Sequence, residues 1–85
     1  MALIRFTLEN RGTGQCMWLA RYGNEPLQTV FDALQKTWNV PIDSCKLFTD
    51  DGRVYVGSDE IHRACTVTIA NIHNGECVKW VSVHQ

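Results

Sequence analysis

The feature that most constrains this chain is a single apolar stripe in its middle. Leu27, Val30, Phe31, Leu34 and Trp38 recur at i, i+3, i+4, i+7 and i+11, the spacing of one buried helix face. Gln28, Asp32, Gln35 and Lys36 fall on the opposite, wet side. Asn24 can cap, Glu25 suits the positive end of the helix dipole, and Pro26 is tolerated in the first turn. Asn39 suits a left-handed C-cap and Pro41 forbids continuation. The pattern predicts one helix over about 24–38. A lone amphipathic helix needs an apolar surface to lie on, so the flanking sequence has to supply one.

Both flanks read as strands. In "ALIRFTLE", Ala2, Ile4, Phe6 and Leu8 alternate with Leu3, Arg5, Thr7 and Glu9, a period of two that argues a half-buried strand. "NRGTG" supplies turn chemistry, and "QCMWLARY" reads as the returning strand of a hairpin. After the helix, "CKLFT", the turn "DDG" and "RVYV" make a second hairpin, and "GSDEIHRA" reads as a loop with one short helical turn from Ser58 or Asp59. "TVTIANI" alternates as a further strand. Asn74-Gly75 is a two-residue hairpin signal, and "ECVKWVSV" reads as the last strand. The order β-β-α-β-β-(turn)-β-β predicts one small α+β domain with the helix packed across a mixed sheet, and the first strand beside "TVTIANI".

At 85 residues the chain is one domain, near the lower end of what a single apolar core supports. No apolar run approaches the ~18 residues a membrane-spanning helix requires, and "MALIRFTLEN" lacks the basic and apolar regions of a signal peptide. A net charge of −1, with acids and bases interspersed, gives the whole chain no pull toward nucleic acid or anionic lipid. Cys16, Cys45, Cys65 and Cys77 form no CxxC pair, so the sequence predicts reduced, structural thiols in a cytoplasmic protein. His62, His73 and His84 are expected in exposed loop and tail positions, and no metal or cofactor is expected. "RGTG" lacks the Lys-Ser/Thr ending of a phosphate loop, and no elbow or oxyanion-hole motif accompanies any cysteine, so an enzyme is not expected.

The element order resembles the β-grasp fold of the ubiquitin-like superfamily. "VPIDSCKLF" is similar to that family's helix-exit segment, and the spacing from Leu27 through Val30, Leu34 and Pro41 to Leu47 is similar to its helix-to-strand spacing. "GSDEIHRACTVTI" resembles the loop into the family's final central strand, with Ser58, Asp59, Ile61 and Thr66 at matching places. The likeness covers about residues 2–73. "KLFTDDGRVYVGSDEI" is locally similar to doublecortin-type domains, which bind microtubules through basic surfaces, and to the interaction domains of DNA-fragmentation factors.

The resemblance implies a ubiquitin-like β-grasp domain over 1–85, with four to six strands on the central helix and an extra C-terminal strand or tail at 76–85. Val78, Trp80, Val81 and Val83 are too apolar to stay free, so 76–83 is expected to extend a sheet edge or to pair with another chain. By position, the family's recognition surface on the open sheet face falls on Phe48 and Ala70, with Leu8 near a third member although its phase suggests burial. Lys46 and Trp80 complete the candidate partner-binding residues. The functional expectation is a non-enzymatic adaptor in the cytoplasm or nucleus that binds a protein through its open sheet face or edge. The alternatives are a ubiquitin-type modifier processed near Gly75, a doublecortin-like cytoskeletal module, or a single-stranded nucleic-acid binder that stacks bases on aromatic residues beside Arg5, Arg11, Arg21 and Lys46.

Overall fold

The computed structural model describes residues 2–83. The elements, in chain order, are β1 (Leu3–Asn10), β2 (Cys16–Tyr22), α1 (Gln28–Trp38), a 3₁₀ turn (Ile42–Ser44), β3 (Cys45–Phe48), β4 (Val54–Val56), α2 (Glu60–Ala64) and β5 (Cys77–Ser82). The strands form one five-stranded sheet in the order β2-β1-β5-β3-β4. β1 and β5 run parallel and the other three pairings are antiparallel, so the sheet is mixed. No helix among the described residues is long and apolar enough to cross a membrane.

The stripe does what its spacing predicts. Val30, Phe31 and Leu34 are fully buried against Phe6, Leu8, Leu47 and Val78, which the strands alternate onto one side of the sheet. Asn39 closes α1 in the left-handed conformation, with its N–H on the Gln35 carbonyl. The start is later than 24. Pro26 bridges to Thr66, Leu27 N–H donates to the Cys65 carbonyl, and Val67 N–H donates to the Glu25 carbonyl, so these residues are tied to the 65–67 segment instead of the helix. The short helical turn forms as α2, and the Asp59 carboxylate accepts from the N–H groups of Ile61 and His62.

The C-terminal third departs from the sequence reading. "TVTIANI" is not a strand. Ala70 N–H bonds back to the Thr66 carbonyl, Asn71 takes a left-handed conformation (φ 61°), and Val67, Ala70 and Ile72 turn into the core. Tertiary burial overrides the β-branched propensity of this run. Asn74-Gly75 does not join two strands. It is the turn that aims the chain into β5, with Gly75 at φ 84° and its N–H on the Arg5 carbonyl.

The segment expected to be an extra strand is therefore the middle of the sheet. β5 lies between β1 and β3, paired along both edges. Residues 77–82 have no free edge on which to recruit another chain, and cleavage near Gly75 would remove the central strand. A central strand fits neither the self-association expected of 76–83 nor removal of the tail near Gly75; His84 and Gln85 lie outside the described residues.

Three measurements check this packing. Leu34→Ala should lower the unfolding free energy by about 2–5 kcal/mol in urea titration, the range for removing a buried leucine. Deleting 76–85 should abolish the cooperative thermal transition, since β1 and β3 would lose their common partner. Gly57→Ala should also destabilise, by about 1–3 kcal/mol or more, because a Cβ there would collide with the Ile42 carbonyl oxygen.

Candidate interaction surface on the open sheet face

Strand alternation divides the sheet's side chains between two faces. One face is filled by α1. The other carries Leu3, Arg5, Thr7 and Glu9 from β1, Cys16, Trp18, Ala20 and Tyr22 from β2, Cys77, Lys79 and Val81 from β5, Lys46 and Phe48 from β3, and Val54 and Val56 from β4. The registers place these in rows. Cys16, Glu9, Lys79, Phe48 and Val54 stand side by side across all five strands, and Val81, Lys46 and Val56 form the next row on one side. Trp18, Thr7 and Cys77 form the next row on the other.

The rows are apolar at both ends and charged in the middle. Trp18 is 73 % exposed, Tyr22 49 % and Val54 42 %. Phe48 is half-buried because the Arg11 guanidinium sits 4.5 Å above its ring centre, a cation–π contact. Glu9 is the one carboxylate on the face. It faces Lys79 Nζ at 3.7 Å and accepts from the thiols of Cys77 (3.4 Å) and Cys16 (3.8 Å). Around it stand four cations: Arg5, Arg11, Lys46 and Lys79. The interspersed charges of the sequence are thus sorted by the fold, and the open face is basic while the whole chain is not.

Of the five residues proposed from sequence, Phe48 and Lys46 lie on this face. The other three do not. Leu8 and Ala70 are fully buried, and Trp80 is 2 % exposed on the helix side, where its ring tilts against Trp38 with centres 5.0 Å apart. Ala70 was misplaced because its segment is a turn; Trp80 because β5 was read as an edge, whereas a central strand has its inward side chains covered. Sequence reasoning missed Lys79, Tyr22 and Val54 as members of the face and named Arg11 only for the nucleic-acid alternative. Leu3, Arg5, Thr7 and Glu9 were legible as the opposite phase of β1, and the same two-residue step on β2 gives Trp18 and Tyr22 once the register is known.

His62 and Cys45 take structural places. His62 is not a free surface histidine: its Nδ1 accepts from Val56 N–H at 2.9 Å and its ring meets Tyr55 edge-on. His73 is exposed. All four cysteines are free. Cys45 is fully buried, and burial raises its pKa despite the Ser44 contact. The Cys77 pKa is also raised, first by burial and next by its bond to Glu9, while Lys79 pulls the other way.

Neither a family model nor a curated protein sequence matches this chain. Solved structures do. A ubiquitin of Caldiarchaeum subterraneum superposes with a TM-score of 0.76 at 14 % identity, covering 99 % of this chain and 98 % of that one. The ubiquitin-like domain of an Arabidopsis thaliana protein gives 0.79 at 13 %, covering 100 % and 82 %. The C-terminal ubiquitin-like domain of mouse tubulin-specific chaperone e gives 0.73 at 13 %, covering 98 % and 89 %. Likeness at this identity is likeness of fold, and it is end to end. The chain has the ubiquitin-like β-grasp fold.

The Cys77 environment gives a pH prediction. A thiol whose pKa is raised stays protonated where an ordinary cysteine has begun to ionise, and the thiolate is the reactive form. Cys77 alkylation, followed residue by residue in the mass spectrometer, should stay slow through pH 8 and accelerate at higher pH. Glu9→Gln removes the neighbouring negative charge, lowers the pKa and should speed the reaction severalfold at pH 8.

Proposed function

We propose that this domain is a non-enzymatic protein-interaction module that holds an acidic partner segment with apolar anchors on its open sheet face, as an adaptor in the cytoplasm or nucleus. The observation that carries the reading is the composition of that face. Four of the chain's eight bases and one of its nine acids lie on it, beside exposed Trp18, Tyr22 and Val54 and the half-covered ring of Phe48. Aromatic and arginine side chains are the groups that dominate interface energetics, and a cationic patch steers an acidic partner toward it. Phe48 is the anchor. A partner carboxylate would draw Arg11 off the ring and leave its face for an apolar side chain.

The three lysines provide the test. Lys46 and Lys79 stand on the open face, whereas Lys36 is on the exposed side of α1. With a captured partner, a lysine-reactive reagent should lose its access to Lys46 and Lys79 and keep its access to Lys36. Phe48→Ala should weaken capture about tenfold or more, the effect of truncating a hot-spot residue. Protection of Lys36 instead would place the partner on the helix and end this reading.

The same face favours one rival. Aromatic rings among cations also suit single-stranded nucleic acid, with bases stacked on Trp18, Tyr22 and Phe48. Titration with a single-stranded oligonucleotide at several salt concentrations separates the two. Tight binding that falls steeply with salt supports the nucleic-acid reading; none supports the protein reading.

A further inference from the structure

We infer that two copies of this chain pair through the outer edge of β2, antiparallel, about a two-fold axis at Trp18. The sheet ends at β2 on one side, and among the described residues no other element pairs with that edge. The Asn10 N–H to Gln15 carbonyl bond fixes which residues face outward. In this register the hydrogen-bonded pairs with β1 are Leu8–Met17, Phe6–Leu19 and Ile4–Arg21, so the peptide groups of Cys16, Trp18, Ala20 and Tyr22 point away from the sheet.

The chain itself covers the far end of this row. Tyr22 N–H donates to the Glu25 carboxylate at 2.6 Å, and its carbonyl accepts from Glu25 N–H at 3.0 Å. Beyond that, the Ala20 carbonyl accepts only from its neighbour Arg21. Cys16 to Ala20 remains as a short edge, "CMWLA", with none of the lysines or prolines that blunt natural edges.

This stretch is complementary to itself. With Trp18 opposite its copy, Cys16 meets Ala20 of the second copy and Ala20 meets Cys16, so all three outward residues pair at once and exchange about six backbone hydrogen bonds. A two-fold axis at any other residue of the stretch leaves at least one of them unpaired. The two Trp18 rings, 73 % exposed in the single chain, come together on the open face. The two-fold symmetry repeats the Cys16–Ala20 pairing on both sides of the axis.

The seam lies at the sheet edge and does not depend on the open-face reading. Sedimentation equilibrium from micromolar to millimolar concentration should show the wild-type chain passing to twice its monomer mass. Trp18→Lys places a charge on the axis and should hold the chain monomeric, with its melting temperature unchanged at concentrations where the wild type is also monomeric, because the side chain is exposed in the single chain. Phe48→Lys alters the open face and should leave the dimer intact. The register is tested separately in a Cys16→Ser background. Trp18→Cys should there oxidise to a reducible covalent dimer, since directly opposed residues of a hydrogen-bonded pair lie within disulfide reach. A wild-type chain that stays monomeric throughout, a dimer that survives Trp18→Lys, or a dimer that forms without the cross-link would each overturn the inference.

Discussion

The parallel contact between β1 and β5 joins the two ends of the chain, and the remaining architecture is arranged around it. Arg5 N–H meets the Asn74 side chain, Thr7 N–H the Glu76 carbonyl and Arg11 N–H the Trp80 carbonyl, a ladder spanning about seventy residues of sequence. Parallel strands cannot be joined by a tight turn, so the chain between them has to cross over. The α1 helix, β3, β4 and α2 are that crossover. Because α1 lies on one side of the ladder, the other side is left without a cover. The basic, aromatic face is thus a consequence of the topology before it is a property of any one residue.

The same constraint explains what the sequence disclosed and what it hid. The helix stripe, both N-terminal strands, the β3–β4 hairpin and the Asp59-capped turn are written in local patterns, and each is where the pattern puts it. The β-grasp class could be read from their order. The two errors share one cause. "TVTIANI" and "CVKWVS" both look like strands, and only the second pairs with β1. Nothing local separates them: Val67 and Ile69 alternate as well as Val78 and Trp80 do. What decides is long-range fit, since Val67, Ala70 and Ile72 close the core beneath the turn while Glu76 reaches back to hold it. Choosing the wrong candidate for the central strand moved Ala70 onto the open face and Trp80 onto an edge. Phe48 and Lys46 escaped the error because β3 was correctly placed.

Net charge misled for a related reason. Four of the nine acids of this chain hold turns and caps. Glu76, nearly buried, accepts from the N–H groups of Asp50 and His73 and so ties the β3–β4 turn to the entry of β5. Asp59 caps α2, and Glu25 closes the end of β2. Asp51 accepts from Thr49 and from Asn71 and pairs with Arg53 within the same turn, which holds its carboxyl below the usual range. A carboxylate is the side chain best suited to bind two backbone donors at a turn or helix start, so the fold draws acids to the ends of its elements. Arg53 and Arg63 serve turns as well, through the carbonyls of Ile69 and Gly57, but half of the bases stand on the strands. A total near zero therefore coexists with a cationic sheet face whose four bases answer to a single glutamate. At physiological salt, charges more than about 8 Å apart are largely screened, so acids at the sheet ends do little to cancel the field over its middle. For a small domain built this way, the local balance around Glu9 governs which molecules the face can hold, and the whole-chain sum does not.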